Sequence, residues 1–378
     1  SGEWKKCKLG DLCNVLMCKR ILVSQTNTED GVPFYKIGTI GSTPDAYISK
    51  ELFDDYKVKY NYPRKGEVMI TCAGTVGKCV VYDGEDAYFQ DSNIVWIDNP
   101  TQYISNGFLF HLLSKVDWRK LNSTTIIRIY NDDLRNLKMS YPRKEEQQKI
   151  SHLLSLLDER IATQNKIIYK LKSLIRGIMV ELQKRGLSNG TWKKVLLSNV
   201  LTERNELNKS LYPVYSVSVI QGIVNQMEYL GRSFAASDTS KYHVVHYGDL
   251  VYTKSPTGSF PYGIIKQSYN QNEVAVSPLY GVYEPKTFST GVFLHEYFKS
   301  ELNTLNYLHP LVQKGAKNTI NIANQRFLES YVAIPSNANE LLAISKLLCS
   351  LNTKLEFLQN ILKQSQGQKQ YLLRQMFI

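Results

Sequence analysis

The chain has 378 residues, 43% of them hydrophobic and 21% charged. That length predicts two or three domains, and that composition excludes wholesale disorder. No run approaches the ~18 uncharged apolar residues that a membrane span requires. The N-terminus shows no apolar core of a secretory signal, so a cytoplasmic protein is expected. The formal charge is +12, and 1–144, 145–186, 187–339 and 340–378 each carry +3. Positive charge spread along a molecule favours a long polyanion, nucleic acid before membrane.

In chain order, strands are predicted at 34–37, 68–71, 78–82 and 93–97, with a helix around 107–121. A second set follows at 212–217, 250–253, 262–266 and 279–283, with a helix around 290–307. The segments are short, rich in β-branched and aromatic residues, and divided by Gly, Pro, Asn and Asp. The pattern is α+β with a curled antiparallel sheet in each set. The six cysteines are Cys7, Cys13, Cys18, Cys72, Cys79 and Cys349. They form no C-x-x-C pair, so reduced thiols packed as small hydrophobes are expected, not a disulfide framework or zinc site.

The two sets read as a duplication. Trp4-Lys5-Lys6 with Leu9-Gly10-Asp11-Leu12 returns as Trp192-Lys193-Lys194 with Leu197-Ser198-Asn199-Val200. Lys65-Gly66-Glu67-Val68 returns as Tyr247-Gly248-Asp249-Leu250, and Leu137–Pro142 as Ser330–Pro335. Each match is weak alone; their common order at offsets of 188, 182 and 193 is not.

A long helix is predicted after each unit, because apolar residues alternate by four and three. The first seam is Ile150, Leu154, Leu157, Ile161, Ile168, Leu171, Ile175, Ile178 and Leu182, interrupted by Gln164. The second is Ile344, Leu348, Leu351, Leu355, Leu358 and Leu362, then Ser365, Lys369, Leu372 and Met376. Pro142 and Pro335 precede the helices, and Gly186 with 188–190 ends the first. Each seam spans on the order of 50 Å at ~1.5 Å per residue. Such a stripe cannot stay exposed in water, so an antiparallel coiled-coil pair is expected. The organisation is a globular unit at 1–144, a spacer helix at 145–186, a second unit at 187–339 and a C-terminal spacer helix at 340–378.

Catalytic motifs are near misses. Gly74-Thr75-Val76-Gly77-Lys78 approaches a phosphate-binding loop, but Cys72 and Cys79 stand where a Walker A motif needs Gly and Ser or Thr. Pro44-Asp45 with Asp55-Tyr56-Lys57 fits a short nuclease pattern in which Asp45, Asp55 and Lys57 would hold Mg²⁺ and activate water. The second unit has no counterpart, so a nuclease is the alternative reading, beside a coiled-coil scaffold unrelated to DNA. Ser277-Pro278-Leu279-Tyr280 lacks the second proline of an adenine methyltransferase loop, and no G-x-G-x-x-G occurs. His243 and His246 have no third metal ligand nearby, and a satisfied pair is expected.

What remains is recognition chemistry. Loops mixing Lys, Ser, Thr, Asn and Gly follow corresponding strands in both units, and such side chains contact phosphates and base edges. In the first unit the candidate DNA contacts are Thr71, Thr75, Lys78, Gln90, Ser123, Thr124 and Arg128. In the second they are Tyr252, Lys254, Ser255, Thr257, Lys314, Lys317 and Asn318. The 25 tyrosines serve packing and phosphate or base contact alike.

With these residues in view, the chain resembles a type I restriction–modification DNA specificity subunit. The likeness rests on Trp4-Lys5-Lys6 with Leu9–Leu12, Lys65–Val68, Gly74–Lys78, the Pro-led helix from Glu145, and their order repeated in the second half. The resemblance implies two target-recognition domains separated by the helix pair, each reading one half of a bipartite, asymmetric duplex target. It implies no catalytic activity and no cofactor in this chain. Two modification subunits would bring S-adenosylmethionine, and restriction subunits ATP and Mg²⁺. The second unit has Ser255-Pro256-Thr257-Gly258 in place of the Gly-Thr-Val-Gly run.

Overall fold

The computed structural model describes residues 3–121, 128–232, 235–314 and 320–377. The chain packs as two units, Ser1–Asn165 with Ile361–Ile378, and Lys166–Asn360. Both mix strands and helices. No helix among the described residues is long and apolar enough to cross a membrane.

The first unit opens with β1 (Lys5–Lys8), β2 (Asn14–Leu16), β3 (Thr26–Asn27), β4 (Val32–Tyr35), β5 (Tyr47–Ile48) and α1 (Lys50–Lys59). Then come β6 (Val68–Thr71), β7 (Cys79–Val81), β8 (Tyr88–Phe89) and β9 (Ile94–Asp98). Helices α2 (Asn106–Lys115), α3 (Trp118–Leu121) and α4 (Asn131–Arg135), strand β10 (Lys138–Tyr141) and the long helix α5 (Lys144–Ser188) follow. The central sheet is antiparallel, in the order β2-β9-β6-β7. A second sheet, β3-β5-β4-β8, includes a parallel pair in which Phe34 faces Tyr88. It surrounds an aromatic cluster in which Tyr62 packs edge-on against Phe53 and Tyr82, and Tyr82 against Phe89. Tyrosine here is mostly packing material. The helix expected at 107–121 is broken between Lys115 and Trp118.

The second unit takes up the later part of α5 and continues with β11 (Trp192–Leu196), β12 (Leu201–Glu203), β13 (Tyr215–Ser218), β14 (Gly222–Asn225) and α6 (Gln226–Leu230). Next are β15 (His243–Val245), β16 (Leu250–Tyr252), β17 (Ile265–Gln267), β18 (Val274–Val276), β19 (Gly281–Pro285), α7 (Phe288–Tyr297) and α8 (Glu301–Leu308). Strands β20 (Gln313–Lys314) and β21 (Ile320–Asn321), helix α9 (Asn324–Phe327), β22 (Tyr331–Pro335) and the long helix α10 (Ala338–Met376) complete it. Its central sheet has the order β12-β19-β16-β17, the topology of the first. Each unit also pairs its outermost strands, Lys5 facing Tyr141 and Trp192 facing Pro335. The duplication suggested by short matches is thus a duplication of topology.

One of those matches has a structural role. Gly66 and Gly248 have φ of +89° and +93°, a left-handed turn that suits glycine. The carboxylate after each glycine is buried and closes the turn, and Asp249 also reaches Arg204 beyond it. Glu67 accepts from Arg64 N at 2.8 Å and Arg64 Nε at 3.1 Å. Asp249 accepts from His246 N at 2.9 Å and from Arg204 Nε and its terminal nitrogen at 2.7 and 3.2 Å.

The long helices pack together. In the first unit, Ile150 and Leu154 share a core with Leu373 and Phe377, and Lys369 pairs with Asp158. That is the arrangement of an antiparallel pair. In the second unit, Ile175 and Met179 share a core with Ile344 and Leu348, with Leu171, Leu351 and Leu355 packed against it. Leu157 and Ile168 are also buried, while Ile161, Leu358 and Leu362 are half-buried. The seam drifts at its ends: Met179, Leu373 and Phe377 are buried where the heptad count names Ile178, Leu372 and Met376. A straight helix rotates ~20° per heptad, enough to move the stripe by a fraction of a residue each time. Gly186 does not end α5. It lies inside the helix with Trp192 against it, where a Cβ would come within 2.2 Å of the indole.

All six thiols are free, and burial raises those of Cys13, Cys18, Cys72 and Cys79 to about 12. They behave as small hydrophobes.

Candidate nucleic-acid interface

In the first unit, β6 and β7 are joined by a tight loop whose shape follows from one threonine. Thr71 is fully buried. Its hydroxyl donates to Thr75 O and accepts from Lys78 N at 3.0 Å, while its carbonyl accepts from Gly77 N at 2.8 Å. Gly74 and Gly77 have φ of +63° and +82°. A Cβ on them would come within 2.7 Å of Ile37 and 2.2 Å of Trp118. The glycines therefore let neighbouring side chains close down on the loop, and Thr75 is left exposed at its tip.

Other candidates collect around this loop. Lys78 Nζ donates to Ile40 O at 2.5 Å. Gln90 donates from its backbone to Tyr35 O at 2.9 Å, and its side chain accepts from Ile37 N at 3.4 Å. Arg128 donates to Ser92 O at 3.2 Å and stacks over Tyr130, and next to it Ile129 N donates to Cys72 O at 2.9 Å. Thr75, Lys78, Gln90 and Arg128 thus belong to one surface, whereas Thr71 shapes it from below. Ser123 and Thr124 lie outside the described residues. The segment 36–42, outside the residues expected from sequence, joins this surface through Ile37 and Ile40. Its Gly38-Thr39-Ile40-Gly41-Ser42 composition was the available signal.

The second unit repeats the device with different material. Thr253 stands 182 positions after Thr71, equally buried, and its hydroxyl accepts from Ile264 N at 3.1 Å. Tyr252 is not on the surface: it is buried, stacks on Phe327, and donates to Tyr262 O at 2.7 Å. Its alternating position on β16 points it into the core. Lys254 is half-buried at φ +60°, and burial lowers its ammonium pKa. Ser255 is exposed, and Thr257 closes a turn with Phe260 through two backbone hydrogen bonds of 2.9 and 3.0 Å. Lys254, Ser255 and Thr257 therefore share one loop. The side chains of Lys314, Lys317 and Asn318 lie outside the described residues.

The nuclease residues do not converge. Asp45 pairs with Lys36 at 2.9 Å, Asp55 with Lys59 at 2.5 Å, and Lys57 with Asp86 at 2.9 Å. Asp55 and Lys57 lie two apart on α1, about 200° around the helix from each other. Among the described residues no group of three acidic, His or Cys side chains could hold a metal ion. His243 Nδ1 lies 2.9 Å from Tyr280 O and His246 Nε2 lies 2.7 Å from Glu206, so both rings have partners.

Comparison with known proteins follows the same lines. Residues 1–173 match the family described as type I restriction modification DNA specificity domain. A Haemophilus influenzae protein provisionally named a type I restriction enzyme specificity subunit is 50% identical over 155 residues, 41% of this chain and 40% of that protein. A Methanocaldococcus jannaschii protein provisionally named the type I restriction enzyme MjaX specificity subunit is 24% identical over 198 residues, 49% of this chain and 46% of that one. The matches thus span less than half the length of these curated relatives. A crystal structure of a type I restriction–modification S subunit from M. genitalium superposes with a TM-score of 0.62 at 15% identity, covering 100% of this chain and 96% of that one. At that identity the likeness is one of fold.

Proposed function

We propose, from the match of residues 1–173 to the type I restriction modification DNA specificity domain family, that this chain is the DNA-reading subunit of a type I restriction–modification complex. One observation carries the proposal. The sheet β2-β9-β6-β7 is repeated as β12-β19-β16-β17, and each copy sends out a loop held by a buried threonine at the same place. Two copies of one scaffold with unlike loops suit two unlike half-targets.

In this reading Thr75, Lys78, Gln90, Ser123, Thr124 and Arg128 contact one half of a bipartite, asymmetric duplex target. Lys254, Ser255, Thr257, Lys314, Lys317 and Asn318 contact the other, and Thr71 and Tyr252 position loops. Lysines and Arg128 meet phosphates; hydroxyl and amide groups read base edges. The pair α5–α10 sets the unread gap, because ~50 Å of helix accommodates one turn of duplex, ~34 Å, with clearance. Two modification subunits dock on that pair and bring S-adenosylmethionine. Restriction subunits bring ATP and Mg²⁺. This chain does no chemistry itself.

Methylation mapping of DNA exposed to the reconstituted complex tests this directly. The expected product is modification at two different short sequences separated by a constant gap. Modification at one contiguous sequence, or duplex binding that ignores salt where electrostatic contacts predict a steep fall, overturns it.

A further inference from the structure

The first unit carries an open groove of about 840 Å³ at the ribbon formed by β1 and β10. Its walls hold Lys6, Lys8, Lys115 and Lys138, all exposed. Its floor is apolar, with Leu112, Met139 and Phe377 buried beneath it. Lys8 and Lys138 stand directly opposite each other across the ribbon. Like charges in that position disfavour the pairing unless something anionic lies over them. The equivalent ribbon of the second unit sets Lys193 and Lys194 against Ile334 and Ala333, so the opposition of lysines is peculiar to the first.

Two carboxylates offset the four lysines only in part: Asp11 accepts from the Lys8 backbone N–H at 2.7 Å, and Asp117 lies 3.5 Å from Lys120. Among the described residues, Lys8 Nζ donates to the neutral Asn136 side chain at 3.0 Å and forms no ion pair. Lys115 Nζ sits 5.9 Å from the Phe377 ring centroid, and burial lowers its pKa.

We infer that this groove docks an acidic peptide segment of a partner protein, with carboxylates against the lysine walls and apolar side chains on the floor. The sign of the walls selects an anion. The floor selects a peptide over duplex DNA, whose outer surface is phosphate and sugar. The inference stands apart from DNA reading by the loops, and the experiment keeps the two separate.

A fluorescein-labelled dodecapeptide of alternating glutamate and leucine is titrated with the full chain and followed by anisotropy, beside a glutamate–serine peptide and a labelled duplex. The glutamate–leucine peptide is expected to bind, and the glutamate–serine peptide roughly tenfold more weakly for lack of apolar burial. Replacing Lys8→Glu with Lys138→Glu should weaken the first peptide at least roughly tenfold through two reversed contacts, with duplex affinity unchanged. Lys6→Glu with Lys115→Gln repeats the test should the first variant unfold. No binding of the glutamate–leucine peptide, or equal binding by both variants, overturns the inference. So does parallel loss of peptide and duplex, which would make the groove part of the DNA face.

Discussion

Replacing Asp249 by alanine removes a buried carboxylate that three N–H groups address, two from Arg204 and one from His246. Removing one partner of a buried ion pair costs ~3–5 kcal/mol, because the other charge stays behind without compensation. Arg204 is partly compensated here: its side chain is 20% exposed, and Glu284 lies 3.2 Å away. The low end of the range, about 3 kcal/mol, is therefore expected. A chain of two units does not unfold in one step, so the loss is read locally, by native-state hydrogen exchange of the β16 and β19 amides. A cycle with Arg204→Met and the double variant should return a coupling of about 2 kcal/mol. A single-variant loss under about 1 kcal/mol, or strictly additive costs, would refute the claim that this carboxylate holds the second sheet together.

Other outcomes follow from the same geometry. His295 is buried, its Nδ1 accepts the Gln267 backbone N–H at 2.8 Å, and burial holds its pKa well below 6.5. A neutral imidazole in the fold contributes stability above the unfolded pKa of about 6.5 and loses it as pH falls below. The exchange protection of β17 should therefore drop between pH 7.5 and 5.5, and His295→Gln should flatten that dependence. Gly77→Ala places a Cβ 2.2 Å from Trp118 at φ +82°, and a local loss of about 1–3 kcal/mol is expected in native-state hydrogen exchange of the β6 and β7 amides, with weaker duplex binding. Lys369→Met leaves Asp158 without its ion-pair partner on α10, and protection of the 150–158 amides should fall. Four residues inserted after Gln164 should lengthen the unread gap in methylation maps and leave both half-sequences the same; altered half-sequences would refute the spacer role.

The parts of the fold legible in the sequence were those with long periodicity or repeated order. The helices at 144–188 and 338–376 announced themselves through a stripe of apolar residues and a leading proline. The duplication announced itself through the order of weak matches. Strands β3, β5 and β8, two residues each, were not legible, since two residues contain no alternation and long-range packing places them. Helix α1 was missed for another reason: its charged face, rich in Lys and Asp, read as a chemical motif when it forms surface ion pairs. At the candidate site, composition selects loops but does not give the direction of each side chain. Thr71 and Tyr252 have DNA-contacting chemistry, yet they end strands at inward positions. Thr253, which has Thr71's role, went unselected because nothing local sets it apart.

The composition of the first unit has a consequence for biosynthesis. Its core includes Leu373 and Phe377, the latter 4.8 Å from Phe108 by ring centroids, while the second unit is one continuous stretch from Lys166 to Asn360. On the ribosome, residues 1–165 emerge before Leu373 and Phe377, so the core of the first unit is completed only when the last turns of α10 are made.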